Sequence, residues 1–375
     1  MKITIVGGGN AGCLTALHYA YYTSDQPNIQ IELRYNPEIP AEKVGQATVL
    51  LTPCLLWEAL GFDWHNNKLD ATFKSGILYE NWGKKNKEIF HPFPADRMGM
   101  HYSPQKLQEC ILESKLFDVV EDNIDSLDNI DADFIFDCRG KPDSLEGYEE
   151  LVNPNNSAIL GKPKIDTSDL DWTRAVATPD GWCFVIPTTK TSPSHQYSYG
   201  YVYNRNITDT KTATNNFKEL FDVDVTQYLN FRNYLAKEPI IDNRIILNGN
   251  ALFFLEPLES SAVETYSHWI RLTFDWIIGG VERPRNIEIA IREYVHQTEK
   301  FILWHYENGS AYNTKFWDYA KSLSKEDEKF DTILKVASNT NVPPYKLQDY
   351  QQRYGQWKAW NFKNWYDGIT IGATK

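Results

Sequence analysis

The stretch that decides the fold is residues 1–21, MKITIVGGGNAGCLTALHYAY. Ile3, Ile5 and Val6 form a short apolar run of the kind a buried parallel strand shows, and it breaks at once into Gly7, Gly8, Gly9, Asn10, Ala11 and Gly12. Leu14, Leu17 and Tyr21 then recur at helical spacing. Gly7, Gly9 and Gly12 therefore fit G-x-G-x-x-G between a strand and a helix, the context that gives the pattern meaning. A helix start presents free amide hydrogens and a positive dipole end, and glycines let a pyrophosphate approach the backbone. The spacing predicts a dinucleotide at Gly7, Gly9, Asn10, Ala11 and Gly12; the plainer alternative is an ordinary glycine-rich turn.

Working outward, residues 29–35 alternate as a second strand, with Ile29, Ile31 and Leu33 apolar. A carboxylate at its tip would bind the adenosine ribose, but Glu32 falls inside the strand and Tyr35 holds the tip, which weakens an NAD reading. Residues 36–53 form an extended, proline-containing segment with Val44, Gly45, Gln46, Ala47 and Thr48, too long for a plain connection. Phe134, Ile135 and Phe136 predict a buried strand whose tip, Asp137 to Gly140, points at the cofactor. A further strand, Ile245 to Leu247, runs into Asn248, Gly249 and Asn250, and Val263, Tyr266, Ile270 and Phe274 then carry a helix.

Between these pieces, residues 69–82 make a candidate strand with Phe73, Ile77, Tyr79 and Trp82 apolar and Lys74 among them. A lone strand lysine is most often on the wet face. His91, Pro92, Phe93 and Pro94 spell a rigid aromatic turn. Ser103 and Pro104 start a helix through Leu107, Ile111 and Leu116. The acidic run 121–133 has no calcium-loop spacing and is expected to be a solvated face. Residues 172–203 predict an antiparallel sheet on the substrate side. From Pro284 onward the chain is helical and polar, ending in Tyr354, Trp357, Trp360, Phe362, Trp365 and Tyr366.

The whole chain of 375 residues carries a net charge of −12, which argues against a nucleic-acid partner and for a small molecule. Five scattered cysteines without C-x-x-C spacing indicate neither a disulfide framework nor a zinc site, and fit a reducing cytoplasm. No signal peptide or long apolar span is visible, so a soluble protein without a membrane partner is expected. Aromatic residues reach 14%, enough to line cavities as well as fill a core. Oligomeric state is not encoded legibly.

Several stretches together resemble the flavin-dependent tryptophan halogenase family: GGGNAG at residues 7–12, VGQAT at 44–48, FKSGILYENW at 73–82, DCRG at 137–140, GWCFVIP at 181–187 and FLEPLESSA at 254–262. They stand in the family's order, and the chain's shortness resembles a compact, phage-type member. The family's W-x-W-x-I-P has Phe184 in place of its second tryptophan, its GEAT is Gly45, Gln46, Ala47 and Thr48, and its E-S-T-G is Glu259, Ser260, Ser261 and Ala262. The flavin strap is thus expected to be tuned differently, and with less C-terminal bulk than the family's tryptophan enzymes to support the tryptophan pocket, tryptophan specificity is not expected to carry over. The resemblance implies an α/β fold, one composite unit over residues 1–375, with a Rossmann-like FAD lobe, a mixed sheet and a helical substrate lobe. FAD-binding segments would be about 1–60, 100–142 and 240–265, and substrate-side segments about 61–99, 143–239 and 266–375.

The same resemblance implies reduced FAD held by the glycine loop, by Val44, Gly45, Gln46, Ala47 and Thr48, and by Gly249 and Asn250. Oxygen and a halide ion (chloride, bromide or iodide) would give hypohalous acid, which moves to Lys74, and Glu259 would help remove the ring proton. From the residues themselves, Ser261 and Glu264 have capping-box spacing, so helix initiation alone explains them. Amides of Ser261 and Ala262 at that helix start would also make a halide site. His91 and Phe93, with part of the C-terminal aromatic cluster and Glu259, are expected to hold an electron-rich arene. No second glycine loop for a nicotinamide is visible, so a separate flavin reductase is expected. A flavin-dependent aromatic hydroxylase is the alternative, and a catalytically dead binding protein of the same ancestry is a third reading.

Overall fold

The computed structural model describes residues 1–48, 51–93, 99–165, 167–339, 347 and 353–371, excepting the side chains of residues 51, 370 and 371. Its first layer is a six-stranded sheet with the spatial order Ile240–Ile241, Ile245–Leu247, Phe134–Asp137, Lys2–Val6, Gln30–Tyr35 and Asp118–Glu121. Its pairings are parallel apart from the outermost, Ile240–Ile241 against Ile245–Leu247. A parallel sheet is covered on both faces, and Lys2–Val6 is accordingly buried from Ile3 on. Ile3 and Ile5 sit level with Ile31 and Leu33 on one side and Phe134 and Phe136 on the other. Each such fully buried side chain contributes roughly 1.5–3 kcal/mol.

The helix Asn10–Tyr22 follows the glycine turn and packs on the helix Ser261–Ile277, where the Tyr19 hydroxyl donates to Thr273 Oγ1 at 3.1 Å. The second layer is a seven-stranded sheet in the order Val223–Asn230, Ser157–Pro163, Tyr199–Tyr203, Gly181–Val185, Trp172–Thr178, Gly76–Glu80 and Glu88–Pro92. Its three strands within residues 172–203 pair antiparallel, as expected there, and the one parallel pairing joins Trp172–Thr178 to Gly76–Glu80. A small sheet joins the layers: Gln46–Thr48, Gly99–Tyr102 and Thr72–Lys74. The helices Pro284–Asn308, Lys315–Ser322 and Ala359–Tyr366 pack on the second layer, through His305 on Tyr79, Trp317 Nε1 donating to the Thr178 carbonyl, and contacts with Glu88–Pro92, while Glu328–Ala337 packs on Ala359–Tyr366. One apolar cluster runs through all of it, holding Ile3, Leu17, Tyr79, Trp182, Trp304 and Trp365.

Some local expectations are corrected. The strand expected over residues 69–82 is two strands, Thr72–Lys74 and Gly76–Glu80, in different sheets, because Ser75 is bonded out of line to Asp171. His91 and Pro92 end the strand Glu88–Pro92 instead of forming a turn, and Pro94 lies outside the described residues. The extended segment 36–53 is cut short by the helix Leu51–Leu60. The helix capped by Ser103 is Pro104–Glu113, with Lys115 at a positive φ of 57° and Leu116 beyond it, 40% exposed. Among the described residues no helix is long and apolar enough to cross a membrane.

Candidate active site

Two cavities open on successive parts of one segment, the first at Glu42 and the second at Val44–Ala47. The first, about 250 Å³, is lined by the glycine loop from Gly7 to Ala11, by Arg34 and Tyr35, and by Gly249 and Asn250. Glycine is required at Gly7, where φ is +119° and a Cβ would stand 2.2 Å from the Cys138 carbonyl oxygen. A Cβ at Gly12 would lie 1.8 Å from the Gly7 oxygen, so strand and helix approach only because both are bare. Gly9, extended at φ −74°, has nothing within 4 Å of a Cβ position and caps its helix without a side-chain bond. Asn10 is tied into this wall: it accepts from the Tyr102 hydroxyl at 3.1 Å and donates to Glu42.

Gln46 Nε2 donates to the same Glu42 oxygen at 3.1 Å, so one carboxylate joins the glycine loop to the strap. Burial raises the Glu42 carboxyl, against the Asn10 and Gln46 hydrogen bonds. Thr48 Oγ1, on the last strap residue, is buried without a hydrogen-bond partner among the described residues. Asn250 is held by the Tyr266 hydroxyl, which donates to Oδ1 at 3.2 Å. The lining thus offers bare glycine backbone suited to a pyrophosphate, with the Arg34 guanidinium beside it already paired with Glu32 and with Asp122 at 3.5 Å. Glu32, within the strand as its alternation indicated, is paired with Arg34 at 2.5 Å and Lys2 at 3.1 Å.

The second cavity, about 100 Å³, lies across the strap. Val44, Gly45, Gln46 and Ala47 form one wall, Trp182 and Phe184 another, and Glu256 through Ala262 the floor. Ser261 and Ala262 are therefore brought to the strap, as a halide site there would need. The capping box is not formed: the cap of the helix Ser261–Ile277 is Ser260, in the left-handed region at φ 52°, with no side-chain cap bond. Glu259 before it has φ 70°. Two successive non-glycine residues in that region cost roughly 1–2 kcal/mol each, so something must hold them.

The holding groups are side chains. The Tyr79 hydroxyl donates to Glu259 Oε1, Trp357 Nε1 donates to Oε2 at 3.3 Å, and His305 Nε2 lies 3.1 Å from Oε1. Three residues earlier, Glu256 Oε1 accepts from the Tyr306 hydroxyl, and Oε2 accepts from Asn155 at 3.2 Å. His305 and Tyr306 are neighbours on the helix Pro284–Asn308, so one helix pins both carboxylates. Burial would raise the Glu259 carboxyl, but the hydrogen bond and charge of His305, with His91 and Tyr79, bring it below its ordinary range. Glu256 is pushed by burial up to about 7, against its hydrogen bonds.

Lys74 overturns the wet-face expectation. Its side chain is wholly buried, and Nζ has no hydrogen-bond partner among the described residues. It stands 5.2 Å from the centre of the Phe93 ring. Burial pulls the ammonium down to about 7, with Glu259 opposing. Lys74, Glu259 and Phe93 are thus brought together.

His91 belongs to the same cluster by charge but is covered by the chain's own aromatics. Its ring lies parallel to Trp360 at 5.6 Å and to Trp365 at 5.0 Å, and burial lowers its pKa to about 4. Sequence reasoning missed Glu42, Tyr79 as a donor, Glu256, His305 and Tyr306. The one available signal was two carboxylates three apart in LEPLES; nothing local marks their partners.

The sequence profile described as Tryptophan halogenase matches residues 2–127 and 117–372. The chain is 27% identical to tryptophan 6-halogenase ThaL of Streptomyces albogriseolus, over 98% of this chain and 87% of that protein. Its match to tryptophan 6-halogenase SttH of Streptomyces toxytricini, at 22%, takes in 58% of this chain and 45% of that one. Among solved structures, the tryptophan halogenase of Shewanella frigidimarina superposes with a TM-score of 0.81 at 20% identity, covering 99% of this chain and 89% of that chain. Glycine cradle, strap and buried lysine and glutamate lie within one profile that spans nearly the whole sequence, and the chain belongs to the tryptophan halogenase family of flavin-dependent enzymes.

Proposed function

We propose that the chain halogenates an electron-rich arene of indole or phenol type, with Lys74 presenting the halogen and Glu259 receiving the ring proton. The observation that carries this is the Lys74 amine, buried, without a hydrogen-bond partner among the described residues, and electrostatically coupled to Glu259. The first cavity and the strap fit FAD, which when bound and reduced would supply hypohalous acid from oxygen and halide. Gly7, Gly9, Asn10, Ala11 and Gly12 would hold its pyrophosphate, Val44 to Thr48 its ring system, Gly249 and Asn250 its far wall, and Ser261 and Ala262 the halide. Lys74 then donates a hydrogen bond to the oxygen of hypohalous acid. The arene carbon takes the halogen as the oxygen–halogen bond breaks, and the oxygen leaves as water with the proton of Lys74. The ring C–H bond gives its electron pair back to the ring and its proton to Glu259. That proton is strongly acidic, so a weak base suffices if it is well placed.

His91 and Phe93 are the proposed aromatic walls, and the helix Ala359–Tyr366, whose tryptophans stack on His91, has to shift for a flat ring to enter. We further propose a permissive site, a separate reductase as source of reduced flavin, a cytoplasmic location (the host's, for a phage-type member) and acceptance of bromide and iodide wherever chloride is accepted. The test is a mass-spectrometric screen of an indole and phenol panel with reductase, FAD and each halide. Halogenated products support the reading; hydroxylated product made with NADH alone and no halide replaces it with the hydroxylase.

A further inference from the structure

The helix Pro284–Asn308 carries a histidine that nothing in the proposed chemistry requires, yet it is wholly buried against the proposed base. His305 Nδ1 lies 2.7 Å from the carbonyl oxygen of Phe301, four residues back on its own helix. A carbonyl oxygen only accepts, so Nδ1 bears the hydrogen, and the tautomer is fixed by the helix itself. The other nitrogen, Nε2, stands 3.1 Å from Glu259 Oε1, within ion-pair distance, without an aligned hydrogen bond to it or to any other described residue. A bare lone pair this close to a carboxylate in a dry interior would repel, so the contact is held by charge, with the proton on Nε2.

We infer that His305 is a positioning residue that pairs by charge with Glu259, and so holds this carboxylate in its left-handed turn with one oxygen committed to the helix. The inference rests on Glu259 being the acceptor of the ring proton. It explains how Glu259 and Ser260 keep positive φ angles without glycine: the anchor is an ion-paired contact from a rigid element, reinforced by Tyr79. It also assigns the two carboxylate oxygens unequal duties. Oε1 faces Tyr79 and His305, and among the described residues Oε2 accepts only from the indole N–H of Trp357, a neutral donor at 3.3 Å. Oε2 is the oxygen free to take the ring proton when Trp357 gives way.

Lys74, His91 and Tyr79 face the same carboxylate from three other strands and stay in place when His305 is changed. His305→Gln keeps an amide able to donate to Oε1 but removes the charge. It should lower kcat about 10- to 100-fold, the loss a displaced reacting group causes, with KM within about twofold. Because His305 lowers the Glu259 pKa, its removal should move the acid limb of the kcat profile to higher pH, which a purely structural role would not do. Independently of activity, nitrogen-15 NMR of histidine-labelled protein should show the hydrogen of His305 on Nδ1, bonded to the Phe301 carbonyl, and an Nε2 resonance displaced by Glu259→Gln. Bare Nδ1, or a His305→Gln enzyme with unchanged kcat and pH profile beside an impaired Glu259→Gln, overturns the inference alone. A fully active Glu259→Gln overturns the base assignment beneath it.

Discussion

Around residues 7–12 the site is made of room: backbone meets backbone at distances that no Cβ would allow, and Gly9 opens onto empty space. Around Lys74 and Glu259 it is made of charge held in a dry core, with an amine that lacks a partner among the described residues and a carboxylate gripped from three elements. The first kind of site depends on the absence of atoms, so its residues are near one another in sequence and any added methyl is felt. The second depends on partners drawn from positions 74 to 357, and it tolerates changes of shape better than changes of charge. Substitutions in the two regions should therefore fail in different ways.

The largest difference is expected at Lys74. Lys74→Ala should cut arene halogenation by about 10³-fold or more while FAD affinity and the fold persist, since no cavity wall of the glycine loop includes it. Lys74→Arg should rescue little, because a guanidinium stays charged and is a different donor. A fully active Lys74→Ala enzyme in the mass-spectrometric assay would remove the proposed chemistry.

Next come two glycines that look alike in sequence. Gly7→Ala forces a methyl onto the Cys138 carbonyl at positive φ and should lower stability by about 3 kcal/mol or more. Gly9→Ala meets nothing in the protein, so its melting temperature should stay near the parent's while FAD binding, followed by fluorescence quenching, weakens about tenfold. Equal stability losses in both would mean that Gly9 does not face the cofactor.

This pair also measures what the sequence made legible. The glycine loop could be read because strand, turn and helix are consecutive and each local signal agrees with the fold. The same holds for Phe134–Asp137 and Ile245–Leu247, whose apolar runs end at the cavity. The grip on Glu259 could not be read, since Tyr79, His305 and Trp357 become neighbours only through tertiary packing. The break at Ser75 was hidden too, because apolar residues continue across it and the cause is a bond to Asp171. Lys74 was placed on the wet face because most lysines are solvated, and the family resemblance alone pointed to its role. The left-handed turn at Glu259 and Ser260 masqueraded as a capping box, because serine and glutamate three apart fit both.

Stability should expose the charge-built region in a third way. Folding lowers the Lys74 pKa from 10.5 to about 7, so the folded state binds its proton less tightly than the unfolded chain. The stabilisation lost to burying the ammonium is fully lost below about pH 7 and recovered as pH rises toward 10.5. Lys74→Met, of similar length and uncharged, should exceed the parent in stability by up to about 5 kcal/mol in acid. Urea unfolding from about pH 6 to about pH 9 should show the gap narrowing as pH rises. A constant gap would mean that Lys74 stays charged in the folded protein.

The smallest expected effects separate two tryptophans that pack on the same aromatic cluster. Trp365 is wholly buried against Tyr79, yet its Nε1 has no hydrogen-bond partner among the described residues. Trp357 is nearly as buried, and its Nε1 donates to Glu259 Oε2. Indole to phenyl removes similar apolar area in both, but at Trp365 it also removes an unsatisfied donor, whereas at Trp357 it strips a buried carboxylate of one. Trp365→Phe should therefore cost about 1 kcal/mol or less, and Trp357→Phe about 1–3 kcal/mol. Loss of a donor also disfavours the ionised carboxylate, so Trp357→Phe should move the acid limb of kcat slightly to higher pH and Trp365→Phe should leave it in place. Thermal melts and pH profiles of the two variants, taken together, decide whether Trp357 acts on the charge of Glu259 or only fills space beside it.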